Sequence, residues 1–84
     1  MGHAMIAHRL VGYDRWTERV IAEHDVPDDL LPTAKRIAHV PADDPDAAMC
    51  YALADDDARE LAGLLQAKIE RDCDYFLEGF AGDG

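Results

Sequence analysis

Serine and asparagine are both absent from the 84-residue chain. Their absence removes a serine nucleophile, an Asn-Gly hairpin turn and an N-glycosylation acceptor. Cysteine is scarce as well, with Cys50 and Cys73 alone, whereas stapled small domains carry four or more. Both thiols are expected to be reduced and at least partly buried, as in a cytoplasmic protein, although a single bridge between them stays open. No apolar run approaches the ~18–20 residues of a membrane span, and no signal-peptide pattern occurs. A cytoplasmic location is therefore expected. Met1–Ala4 reads as an appended remnant ahead of a natural start at Met5.

Basic residues are few, and their distribution is uneven. Eighteen acidic side chains face eight basic ones, a formal net charge of −10. Residues 1–42 hold five basic and six acidic residues, −1, whereas residues 43–84 hold three basic and twelve acidic, −9. Direct binding to nucleic acid or an anionic membrane requires cations to meet phosphates, and this field has the wrong sign. Basic proteins, neutral surfaces and cations remain as partners. Thirteen of the acids are Asp and lysine occurs only twice. A high-GC genome or a salty cytoplasm produces such a composition without any binding surface, because net charge bears on solubility first.

What remains reads as one small α+β domain of order ββαβα. Residues of this number form a single core of modest size, burying about 60–65% of the unfolded surface. Met5–Asp14 and Glu18–Val26 are rich in β-branched and aromatic residues and form an antiparallel hairpin across a connector at Arg15, Trp16 and Thr17. Pro27 closes the second strand, Asp28 and Asp29 are N-cap candidates, and Leu30, Leu31, Ala34, Ile37 and Ala38 recur at helical spacing to about His39. If that helix begins only at Pro32, it is barely two turns long. After the loop Ala42–Ala47, the run Met49–Leu53 reads as a short third strand. Asp57 and Glu60 resemble a capping box. Behind them Ala58, Leu61, Ala62, Leu65 and Ile69 line one stripe of a longer amphipathic helix, which Leu64 widens and Gly63 weakens. Tyr75, Phe76, Leu77 and Phe80 are too apolar for a free tail and are expected to pack on the core as a final short strand or extended segment, with Ala81–Gly84 frayed.

Chemistry-bearing patterns are weak. His8 and His24 fall on the two hairpin strands and could approach each other, with Glu23, Asp25, Cys50 or Cys73 as further ligands. No C-x-x-C, H-x-x-x-H or H-E-x-x-H spacing supports a zinc site, and the plainer reading puts His24 half-buried on its strand with His8 and His39 on the surface. The Asp clusters lack the glycine and closing Glu of a calcium loop. Neither a paired-carboxylate site nor a glycine-rich phosphate loop is legible. No catalytic residue, metal or other cofactor is expected, and the pattern points away from an enzyme.

The leading expectation is a non-enzymatic protein-interaction module, regulatory, inhibitory or immunity-like, presenting an acidic surface to a basic protein partner. A nucleic-acid mimic is one concrete version. Candidate contact residues are Trp16 at the hairpin tip, Asp43, Asp44 and Asp46 in the central loop, and Asp55 and Asp56 before the second helix, with the heavier reading of Trp16 being that it folds back over the sheet and completes the small core. The alternatives are a structural homodimer pairing through the hairpin edge, acidic only for solubility, and a metal-dependent site on the hairpin histidines.

Overall fold

A computed structural model of the protein describes residues 6–81. The proposed remnant Met1–Ala4 lies outside the described residues, as do residues 82–84 of the expected tail. The element order is β1 (Ile6–Asp14), β2 (Val20–Val26), α1 (Leu31–Ile37), β3 (Cys50–Ala52), α2 (Asp55–Leu64) and β4 (Cys73–Ala81). The strands form one antiparallel sheet in the order β2-β1-β4-β3.

The chain therefore adds a full strand where a short one was expected. β4 runs for nine residues and pairs with the whole of β1, from Ile6 opposite Ala81 to Asp14 opposite Cys73. It is a central strand, and β3 reaches the sheet through it rather than through the hairpin. Ala81, expected in the frayed tail, is held in this ladder.

Side chains alternate across a strand, so the register assigns each face. Leu10, Val26, Cys73, Tyr75 and Leu77 pack with Ala34, Ile37 and Ala38 from α1 and its C-cap and with Ala58, Leu61 and Ala62 of α2 in one buried cluster. Leu10 and Leu77 stand directly opposite one another at its centre. Both helices thus cover the same side of the sheet. Two close approaches depend on glycine. A Cβ on Gly12 would meet the Tyr75 ring at 2.8 Å, and one on Gly79 would meet the Ala47 carbonyl oxygen at 2.4 Å. The second is the tighter constraint, because a backbone carbonyl cannot swing aside as a side chain does.

The helix ends depart from the sequence reading for a shared reason. α2 stops at Leu64 although Leu65, Ala67 and Ile69 continue the apolar spacing. Gln66 takes a left-handed φ of 57°, its N–H bonds to Gly63 O, and the Ala67 N–H bonds to Ala62 O. This is a Schellman ending built without glycine. His39 ends α1 the same way, with bonds from His39 to Arg36 and from Val40 to Lys35. At the N-termini, α1 is capped by Leu30 and α2 by Ala54, neither with a side-chain cap bond. Asp57 is thus not an N-cap. With Asp55 and Asp56 it lies in the first turn of α2, where carboxylates suit the positive end of the helix dipole. Leu64 is 44% exposed and does not widen the buried stripe.

Leu77→Ala is expected to lower unfolding stability in urea by about 3 kcal/mol, as for other fully buried leucines. Gln66→Gly is expected to raise it by about 1 kcal/mol by relieving the left-handed backbone. A neutral or destabilising result for Gln66→Gly would contradict the described helix end.

Candidate functional site

With both helices on one side, the opposite face of the sheet has no covering element among the described residues. β1 contributes Arg9, Val11 and Tyr13 to it, and β4 contributes Asp74, Phe76, Glu78 and Phe80. Val11 is buried there, yet it stands apart from the helix-side core. Tyr13 and Phe76 meet edge to face with ring centroids 5.5 Å apart, and the Arg9 guanidinium lies 4.4 Å above the Phe80 ring. These contacts use the negative faces of the rings. Phe76 and Phe80 are half-exposed, so the expectation that they fill the core with Tyr75 is corrected. They point away from it because they differ from Tyr75 and Leu77 in strand parity.

Polar groups ring the aromatic patch. Arg9 bonds Glu23 at 2.9 Å and Asp25 at 3.2 Å, and Arg15 bonds Asp74 at 3.3 Å. The Tyr13 hydroxyl donates to Glu78, whose Oε2 also lies 3.6 Å from the Cys50 thiol. The hydrogen bond to Glu78, aided by burial, pushes the Tyr13 pKa up to about 12. A cleft of ≈ 500 Å³ opens beside this group, lined by Asp14, Glu18, Asp74 and Glu78 with Tyr13, Phe76, Cys50 and a single cation, Arg15. Its chemistry is acidic rim and aromatic wall, suited to ammonium or guanidinium groups.

The residues singled out from the sequence fall in separate places. Trp16 does not fold back onto the core but is 75% exposed at the β1–β2 turn, because N–H bonds from Trp16 and Thr17 to the Asp14 carboxylate fix the turn's backbone. These bonds hold the Asp14 carboxyl below its usual range. Asp55 and Asp56 are exposed on the first turn of α2, and Asp55 borders a smaller cleft with Arg15, Arg59 and Arg71 near the same end of the sheet. Asp43, Asp44 and Asp46 lie at the other end, in the α1–β3 loop. Asp44 is structural there. Its carboxylate accepts the Tyr51 hydroxyl and the Ala48 and Met49 N–H groups, and these bonds, the tyrosine's first, lower its pKa. The six candidates do not converge on one site. The open sheet face was missed because Phe76 and Phe80 look, in sequence, like continuations of the core.

Of the histidines, His8 is placed differently from the simple reading, whereas His24 and His39 lie as expected. His8 is 5% exposed rather than on the surface, and its Nε2 lies 2.9 Å from Asp46 O. A carbonyl only accepts, so Nε2 carries the proton. His24 is half-buried, and exposed His39 lies 3.5 Å from Asp57. Cys50 and Cys73 are unpaired. Cys50 is exposed, contrary to expectation, and burial with nearby Glu78 raises its pKa, while burial raises that of Cys73. Neither thiol is thus poised as a thiolate nucleophile. Among the described residues no group of three or more His, Cys, Asp or Glu side chains is arranged to hold a metal ion. No helix among them is long and apolar enough to cross a membrane.

The span from His8 on β1 to Glu78 on β4 contains most of the hairpin, both helices and the open face up to Glu78, and residues 8–78 match the sequence model of a domain of unknown function, DUF7683. The chain belongs to that family. The match takes in Tyr13, Phe76 and Glu78, so the face built from them lies within the family's domain. No curated protein and no solved structure matches the chain.

Glu78→Gln is expected to bring the Tyr13 pKa down from about 12 toward the ordinary tyrosine value of about 10. Because Tyr13 is raised in the folded state, its contribution to stability is complete below the unfolded value near ~10 and is lost as pH climbs through the folded value. Ultraviolet titration of the variant should show one of the tyrosines ionising earlier. An unchanged profile would contradict the Tyr13–Glu78 bond.

Proposed function

We propose that this protein is a non-enzymatic interaction module, of a regulatory, inhibitory or immunity-like kind, that binds a basic protein partner on its open sheet face. The observation that carries the reading is the pairing of Tyr13, Phe76 and Phe80 with a rim of carboxylates on a face that both helices leave uncovered. Aromatic side chains supply contact area at small entropic cost and recur as interface anchors. The carboxylates select the partner's charge and speed its approach.

Charge complementarity favours a basic partner over a second copy. Around the Tyr13–Glu78 cleft Asp14, Glu18, Asp74 and Glu78 meet only Arg15, and apposing two such faces sets like charges against one another. Trp16, on its rigid turn beside Arg15, extends the same end of the surface. The acidic residues Asp55 and Asp56 add to the field there rather than forming a site of their own.

The test begins with a partner captured from native extract and identified. Its affinity should fall steeply between ~0.1 M and ~1 M salt, as the screening length shrinks from about 10 Å to about 3 Å. Glu18→Gln combined with Asp74→Asn should weaken binding about tenfold at low salt and have little effect at high salt. A partner whose affinity ignores both salt and these substitutions would remove the acidic face as the basis of recognition.

A further inference from the structure

We infer that the basic partner engages as an added strand along the free edge of β2, a mode that rests on the proposed reading and makes it specific. β2 is an outer strand of the sheet, with no strand among the described residues paired along its far edge. In an antiparallel sheet, successive residues direct their N–H and C=O groups to opposite neighbours. Asp14 exchanges bonds with Glu18 and Arg19 on the β2 side, whereas the Arg15 N–H bonds to Asp72 O on the β4 side. Even-numbered residues of β1 therefore face β2. Their partners, Ala22 opposite Gly12, His24 opposite Leu10 and Val26 opposite His8, use their backbone groups on β1. The other edge of the sheet agrees in phase. The Leu53 N–H bonds to Tyr75 O, which turns Tyr75 toward β3 and leaves Phe76 to bond Val11. By this alternation Glu23 and Asp25 turn their backbone groups outward, off the sheet.

The side chains at those two positions define what fits. Glu23 and Asp25 lie on the open face, opposite Val11 and Arg9. Their side chains are 47% and 86% exposed, and Arg9 answers both carboxylates with one positive charge. Ile21 is the extra residue of a bulge in the β1–β2 pairing, so the regular edge is residues 22–26. A second copy pairing about a two-fold along this stretch would set Glu23 against Glu23, Glu23 against Asp25, or Asp25 against Asp25. Each register places like charges directly across a strand pair, which is destabilising. A strand with Lys or Arg opposite Glu23 and Asp25, and a small or apolar residue between them, meets opposite charge and completes the backbone ladder. Val20 and Ile21, both nearly half-exposed, extend the apolar part of the same edge.

The probe is a seven-residue peptide alternating lysine and valine, matched to the seven residues of β2 and added to the full chain. Amide hydrogen exchange at Glu23 and Asp25 should slow about tenfold when the peptide is in about tenfold excess over its dissociation constant. A peptide alternating glutamate and valine should leave both amides unchanged. So should the lysine peptide carrying N-methyl groups on its lysines, which keeps the charge and removes the donors facing the edge. Equal binding by the N-methylated peptide overturns the strand-addition mode. If perturbation is instead confined to Tyr13, Phe76 and Glu78 while Glu23 and Asp25 exchange as before, the edge inference fails and face docking stands. Absence of any response to the lysine peptide counts against both.

Discussion

The pairing of β1 with β4 is the constraint on which the rest of this structure depends. It joins the first described strand to the last along their full nine-residue lengths. Leu10 and Leu77 meet at its centre and form the floor on which both helices rest. β2 and β3 each attach to one member of the pair, so neither has a place in the sheet without it. Such contacts bridge most of the chain, so the sheet carries a loop-closure cost that the buried core must offset. The loops are bound to the same pair. His8 holds Asp46 O, Gly79 admits the Ala47 carbonyl, and the Tyr75 hydroxyl accepts the Glu70 N–H at 2.8 Å.

The same pairing fixes which surface stays open. Each central strand carries bulky residues of both parities, and the helices cover only one. Tyr75 and Leu77 go inward, while Phe76 and Phe80 face outward beside Tyr13 and Arg9. An apolar strand face beside a ring of carboxylates has a physical consequence whatever the partner's identity. Under the proposed reading, that consequence is a preference for a basic partner, which gains contact area and meets opposite charge.

Much of the fold was legible in local pattern. The hairpin, the short first helix and the brief third strand follow from alternation, Pro27 and apolar spacing. β4 was harder to read because bulky apolar residues sit on both of its parities, Tyr75 and Leu77 toward the core and Phe76 and Phe80 on the open face, so clean alternation is lost. The length of α2 was overstated because its apolar stripe continues past Leu64, and Gln66 ends the helix where a glycine would have announced the stop. The acidic loop misled in another way. A run such as Asp43, Asp44 and Asp46 looks uniformly solvated in sequence, yet Asp44 is tied to Tyr51, Ala48 and Met49 and organises the approach to β3. The open face left almost no signal, because it consists of residues whose burial is decided by strand parity alone.

Residue-resolved hydroxyl-radical footprinting of the dilute protein tests the central claim most directly, since it reads side-chain exposure along β4 one position at a time. The account predicts labelling of Phe76, Phe80 and Tyr13, with Trp16 labelled most heavily and Tyr75 and Leu77 protected. Protection of Phe76 and Phe80 equal to that of Tyr75 would mean that the face is covered, and would contradict the account.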